Sequence, residues 1–154
     1  MRTADDIAAG SIAEDGRSGE RLLLWGLRRC AFGCGDPRVV EAAFCDACGC
    51  EAGRLAYVGL RAFLVLLTLY GRRRLRLGPP GHAGATADER ALLGLFAAAE
   101  AGAAAELEAR LAWLLRPDPA VDAGRIAGAV GRMLVRTPWP ADGGEAALRP
   151  GAPA

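Results

Sequence analysis

The chain is 154 residues long, 52% hydrophobic and positive in mean hydropathy, long enough to bury one core and too apolar for a disordered polymer. Its 19 basic and 18 acidic residues leave a net charge of +1, which excludes a global field drawing it to nucleic acid or anionic lipid. All 19 basic residues are arginine, and beside so much alanine and glycine this reads as compositional bias rather than as selection for phosphate recognition.

The sequence predicts a flexible acidic segment over 1–17, one helical domain over 18–136 and a loose Pro/Gly-rich tail over 137–154. The first segment, "MRTADDIAAGSIAEDGR", lacks the apolar run of a secretory signal, so a cytoplasmic, thiol-reducing compartment is expected. Ser18 is placed to cap a first helix with Leu23, Leu27 and Cys30 or Ala31 along one face. Gly33 and Gly35 break it. Asp36-Pro37 starts a second helix, with Asp as N-cap and Pro in the first turn, whose stripe is Val40, Phe44 and Ala47.

A third helix, roughly 52 to 71, is apolar nearly all round from Ala62 to Tyr70, which predicts the central helix of a bundle. Only the ten residues from Ala62 to Gly71 lack charge, about half the roughly 20 that a bilayer span needs, so no membrane span is expected. In the connector "GRRRLRLGPPGHAG", Leu75 and Leu77 alternate with arginine and could form a short extended segment. Thr86 and Glu89 form a capping box for a fourth helix with Leu92, Leu95, Phe96 and Ala99 inward. A fifth carries Leu107, Leu111, Leu114 and Leu115, with Glu106 and Arg110 paired outside. Asp118-Pro119 repeats the Asp-Pro start for a sixth, with Ile126, Val130 and Leu134 in register. The expected fold class is all-α: a small bundle of about six helices joined by short turns to antiparallel neighbours.

All five cysteines fall within residues 30–50, spaced C-x3-C-x10-C-x2-C-x-C. Two doublets are the general form of a zinc site, with Cys30, Cys34, Cys45 and Cys48 as ligands and Cys50 as a substitute. A helix from Pro37, however, carries Cys45 about 12 Å along its axis, whereas zinc holds each thiolate at about 2.3 Å. The Asp-Pro start and the apolar stripe favour the helix, so the expectation is packing cysteines and no cofactor, with zinc as the alternative. Cys45-x-x-Cys48 lies at a helix C-terminus, where the dipole disfavours a thiolate, so a redox role is not expected.

His82, the one histidine, sits in a Pro/Gly loop with no carboxylate or serine beside it and reads as a loop residue rather than a catalyst. Arg72, Arg73, Arg74 and Arg76 form the basic cluster. They complement the dipole of the preceding helix, or alternatively contact an acidic partner or phosphate. Trp25 and Trp113 fall beside helical stripes and are expected to pack the core or its edge. Trp139, between two prolines, either docks back on the bundle or marks a partner contact. No phosphate loop, nucleophile elbow, HExxH or carboxylate pair is present.

The blocks "RLLLWGLRRCA", "GLRAFLVLLTLYGRRRLRLGPPG" and "TADERALLGLFAAAEAG" resemble those of small helical bacterial proteins grouped in families of unknown function. The resemblance covers roughly residues 20–116, implies an all-helical fold and carries no activity. The expected function is therefore that of an adaptor, regulator or accessory subunit binding an unknown protein partner, with Arg72, Arg73, Arg74, Arg76 and Trp139 as contacts. A zinc module and a nucleic-acid accessory protein are the alternatives.

Overall fold

A computed structural model of the chain describes residues 18–33, 35–139, 143, 144 and 148. Among these there are α1 (Ser18–Phe32), α2 (Pro37–Cys48), α3 (Cys50–Tyr70), α4 (Ala87–Ala101), α5 (Ala104–Leu114) and α6 (Ala120–Leu134). The fold is an all-α bundle, without strands among the described residues. The acidic segment 1–17 and Cys34 lie outside them, as does most of the segment beyond Trp139.

Local chemistry sets the helix boundaries. Asp36 caps α2 by accepting from the Arg38 N–H at 2.9 Å, with Pro37 in the first turn. Thr86 and Glu89 make the reciprocal capping box of α4, and Gly102 ends it in the left-handed conformation (φ 70°). Two expected caps differ. Ser18 is already helical and its hydroxyl donates to the Thr137 carbonyl. At α6 the N-cap position is Pro119 rather than Asp118, and no side chain caps it: the Asp-Pro pair sits one residue too early to repeat the geometry at Asp36.

The core joins Phe44, Phe63 and Phe96 to leucines of α1, α3, α4 and α5 and to Val130 and Leu134 of α6, all fully buried. Phe63 and Phe96 meet at 5.0 Å with rings inclined by 57°, a tilted pairing that their quadrupoles favour. α2 and α3 form a tight antiparallel hairpin about Gly49 (φ 93°), which supplies a positive φ that other residues resist. A Cβ on Gly53 would come within 2.6 Å of the Phe44 carbonyl carbon, so glycine is what lets the two backbones touch.

α3 is not the enclosed central helix that its composition predicts. α2 and α6 cover it along one side, where Gly53, Ala56, Tyr57, Leu60 and Phe63 are buried. Leu55, Val58, Val65 and Leu69 are each more than half exposed on the other. Trp113 is half exposed, with the Arg73 guanidinium 4.0 Å over its ring. Trp25 is half-buried and packs on Trp139 at 5.4 Å.

Candidate functional site

The connector 71–86 is a strap whose path is fixed by backbone bonds. At its start Gly71 bridges antiparallel to Leu115, the Arg72 N–H donating to the Leu114 carbonyl (2.9 Å) and the Arg116 N–H to Tyr70 (3.0 Å). The extended segment expected around Leu75 and Leu77 is confined to this bridge, and both leucines pack on the core. Further along, the first turn of α4 takes hold. Asp88 accepts from the Arg76 N–H (2.6 Å) and pairs with the Arg73 guanidinium. Glu89 accepts from the Gly78 N–H and the Thr86 N–H, both at 2.7 Å, while the Thr86 hydroxyl donates to the Arg76 carbonyl (2.7 Å).

Glu89 is fully buried, and its counter-charge is Arg28, buried in α1. The guanidinium donates through Nε to Oε1 and through Nη2 to Oε2, each at 2.8 Å. The same group donates to the carbonyls of His82 (2.8 Å) and Gly84 (2.6 Å). Burial alone would raise the Glu89 pKa, but the bonds from Arg28, Thr86 and Gly78 and the Arg28 charge outweigh it and hold the carboxyl below its ordinary value. Asp88 is also held low, chiefly by the Arg76 N–H and further by Arg73. The capping box is legible in the sequence, whereas Arg28 is not: it reads as the polar side of an amphipathic helix.

These anchors display the basic residues along α3. Between Glu51 and Asp88 the sequence holds no carboxylate and six arginines: Arg54, Arg61, Arg72, Arg73, Arg74 and Arg76. On α3, Leu55, Val58, Ala62, Val65 and Leu69 recur at alternating steps of three and four, the seam spacing of a coiled coil. Arg54, paired with Glu41 of α2 at 3.2 Å, and Arg61 follow one edge of that stripe at helical spacing, and Arg72 lies just beyond the helix end in the strap. Cys50–Tyr70 is also the one helix, among the described residues, long and apolar enough to cross a membrane by length and composition, and 22% of that span is buried inside this fold.

Beside the stripe, the end of α1, the second half of α3 and the strap enclose a groove of about 810 Å³. Arg61, Arg72, Arg73 and Arg74 line it together with Leu64, Leu67, Leu75 and Leu77, and no carboxylate does. Arg61 donates to the Tyr57 hydroxyl (3.1 Å) and Arg72 to the Leu115 carbonyl (2.8 Å). Arg72 also lines a more apolar depression of about 560 Å³ that α5 and α6 frame around Leu107, Leu111 and Val121.

The other sequence candidates are dispersed. Arg76 is exposed, its backbone held by Asp88. Trp139 lies on Trp25, and its carbonyl accepts from Arg21 (3.0 Å). His82 is exposed in the strap. Cys30 opens into the groove beside Arg61, its thiol pKa raised by burial against the lowering effect of that charge. Cys45 and Cys50 meet at the α2–α3 corner, the Cys45 thiol 3.4 Å from the Cys50 carbonyl, while the Cys48 thiol donates to the Phe44 carbonyl (3.0 Å). Among the described residues no group of three or more His, Cys, Asp or Glu is placed to hold a metal ion.

Comparison with protein-family models, with curated proteins and with solved structures finds no match to this chain.

Proposed function

We propose that the protein is a small helical adaptor, regulator or accessory subunit that acts by binding a partner protein along the outer face of α3. The observation that carries this reading is the uncovered stripe Leu55–Val58–Ala62–Val65–Leu69, edged by Arg54 and Arg61 in a stretch without carboxylates. Its complement is an amphipathic partner helix with a matching apolar seam and acidic residues along one side. The same stripe of a second copy supplies no such acidic edge, because the sequence between Leu55 and Leu69 contains no carboxylate. The nucleic-acid reading has less support: Arg73 is engaged by Asp88, and Trp113 lies beneath it rather than open for base stacking.

The test is site-specific photocrosslinking in cells, with benzoylphenylalanine at Val58 or Val65 and, as a control, at exposed Ala105. A discrete heteromeric protein adduct at the two α3 positions, absent at Ala105 and lost with Leu69→Glu, supports the reading. No discrete adduct, an adduct of two copies of the chain, or an adduct to lipid alone overturns it.

A further inference from the structure

We propose that the groove between α1, α3 and the strap binds an anionic amphiphile: a phosphate or carboxylate head on an alkyl or comparably apolar body. Its volume of about 810 Å³ lies in the range of small-molecule sites. Arg61, Arg72 and Arg74 supply the head-binding charge. Among the described residues none of the three is paired with a carboxylate: Arg61 is held by a phenol and Arg72 by a carbonyl. A guanidinium has five N–H donors, so such single contacts leave donors in a geometry suited to oxyanions. Arg73 is different, its charge answered by Asp88, and it acts as wall rather than ligand.

The apolar half of the site is equally specific. Leu67, Leu75 and Leu77 are half-buried and line the same groove, so a bare phosphate would leave them unused and a neutral lipid would leave the arginines uncompensated. The strap carrying Arg72, Arg74, Leu75 and Leu77 is fixed by Asp88, Glu89 and Arg28, which reduces the ordering cost of binding. Such a ligand exists free or as a lipid in a bilayer, and the two share this recognition chemistry.

The experiment titrates the purified full chain with monomeric dodecyl phosphate, inorganic phosphate and dodecyltrimethylammonium, followed by calorimetry. Sedimentation with mixed phosphatidylglycerol–phosphatidylcholine vesicles and with pure phosphatidylcholine vesicles runs in parallel. Saturable one-to-one binding of dodecyl phosphate is expected, at least about tenfold tighter than of inorganic phosphate or the cationic amphiphile. Arg61→Gln with Arg74→Gln should weaken it by about tenfold or more, as should Leu75→Ser. Binding to the anionic vesicles alone, lost in the same variants, assigns the site to a lipid headgroup. Equal binding of the cationic amphiphile, undiminished binding in the arginine double variant with its helical circular dichroism intact, or no binding of any anionic probe overturns the proposal. The groove shares Arg61 and Val65 with the partner face, but Val58 lies outside it, so Val58→Asp should abolish the partner crosslink obtained through Val65 and spare dodecyl phosphate binding, which tells the two readings apart.

Discussion

Arg28 and Glu89 are separated by 61 residues, yet the two side chains meet bidentately in the interior and share the work of holding one strap. Arg28 bonds its carbonyls and Glu89 its N–H groups. Removing one member leaves a buried charge uncompensated, so Arg28→Met or Glu89→Leu should each cost about 3–5 kcal/mol in urea unfolding. The double variant should recover part of that loss and retain about 1–3 kcal/mol, because the buried Gly78 N–H still lacks its acceptor. Full recovery in the double variant would show that the strap needs only the charge balance.

Acid should weaken the same anchor. The folded Glu89 pKa is depressed from its ordinary 4.5 and that of Asp88 from 3.8, so the unfolded chain binds their protons first. Their stabilisation is complete above about pH 5.5, one unit above the ordinary glutamate value, and is lost as pH falls through the depressed folded values. Stability measured by urea titration should decline steadily below that point. The decline should be shallower in Glu89→Gln, and identical slopes would remove Glu89 from the account.

Gly53 and Gly94 should respond in opposite directions to alanine. At Gly53 the added methyl meets the backbone of Phe44 and Cys45, which cannot step aside, so Gly53→Ala should destabilise by about 1–3 kcal/mol. At Gly94 it meets only the guanidinium of Arg110 on the surface of α5, a movable group. There the lower chain entropy and better helix propensity of alanine should add up to about 1 kcal/mol, read as a raised Tm.

Thiol reactivity reports on the groove. Burial holds the Cys30 thiol neutral and the Arg61 charge works against it, so removing that charge should raise the pKa further. Alkylation of Cys30 at neutral pH, followed by peptide mass spectrometry, should be slower in Arg61→Gln than in the parent, and slower in the parent than at exposed Cys50. A faster rate in the variant would mean that the arginine shields the thiol sterically rather than stabilising the thiolate.

Most of the helices are legible in the sequence because their signals are local: the Asp36-Pro37 start, the Thr86–Glu89 box and the leucine periodicity of α5 require no knowledge of distant neighbours. What escapes is long-range. Arg28 looks like any arginine on the polar side of a helix, and its burial depends on a carboxylate three helices further along the chain. The hydrophobicity of α3 reads as centrality because composition does not distinguish an exposed side from a covered one. Asp118 carries the same Asp-Pro signal as Asp36, but Pro119 itself takes the cap position there. Of the cysteines, Cys45 and Cys48 sit one turn apart at the end of α2, whereas Cys30 opens into the groove beside Arg61.

The strap separates form from chemistry. Its course is written in main-chain N–H and C=O groups gripped by Arg28, Thr86, Asp88 and Glu89, and of the side chains of Arg74 and Arg76 only the Arg76 charge, near Asp88, adds to that grip. The displayed residues can therefore be exchanged while the scaffold beneath them keeps its course. A library randomised at Arg74 and Arg76 should yield mostly folded proteins with altered charge selectivity, whereas the same diversity at Asp88 or Glu89 should yield few that fold.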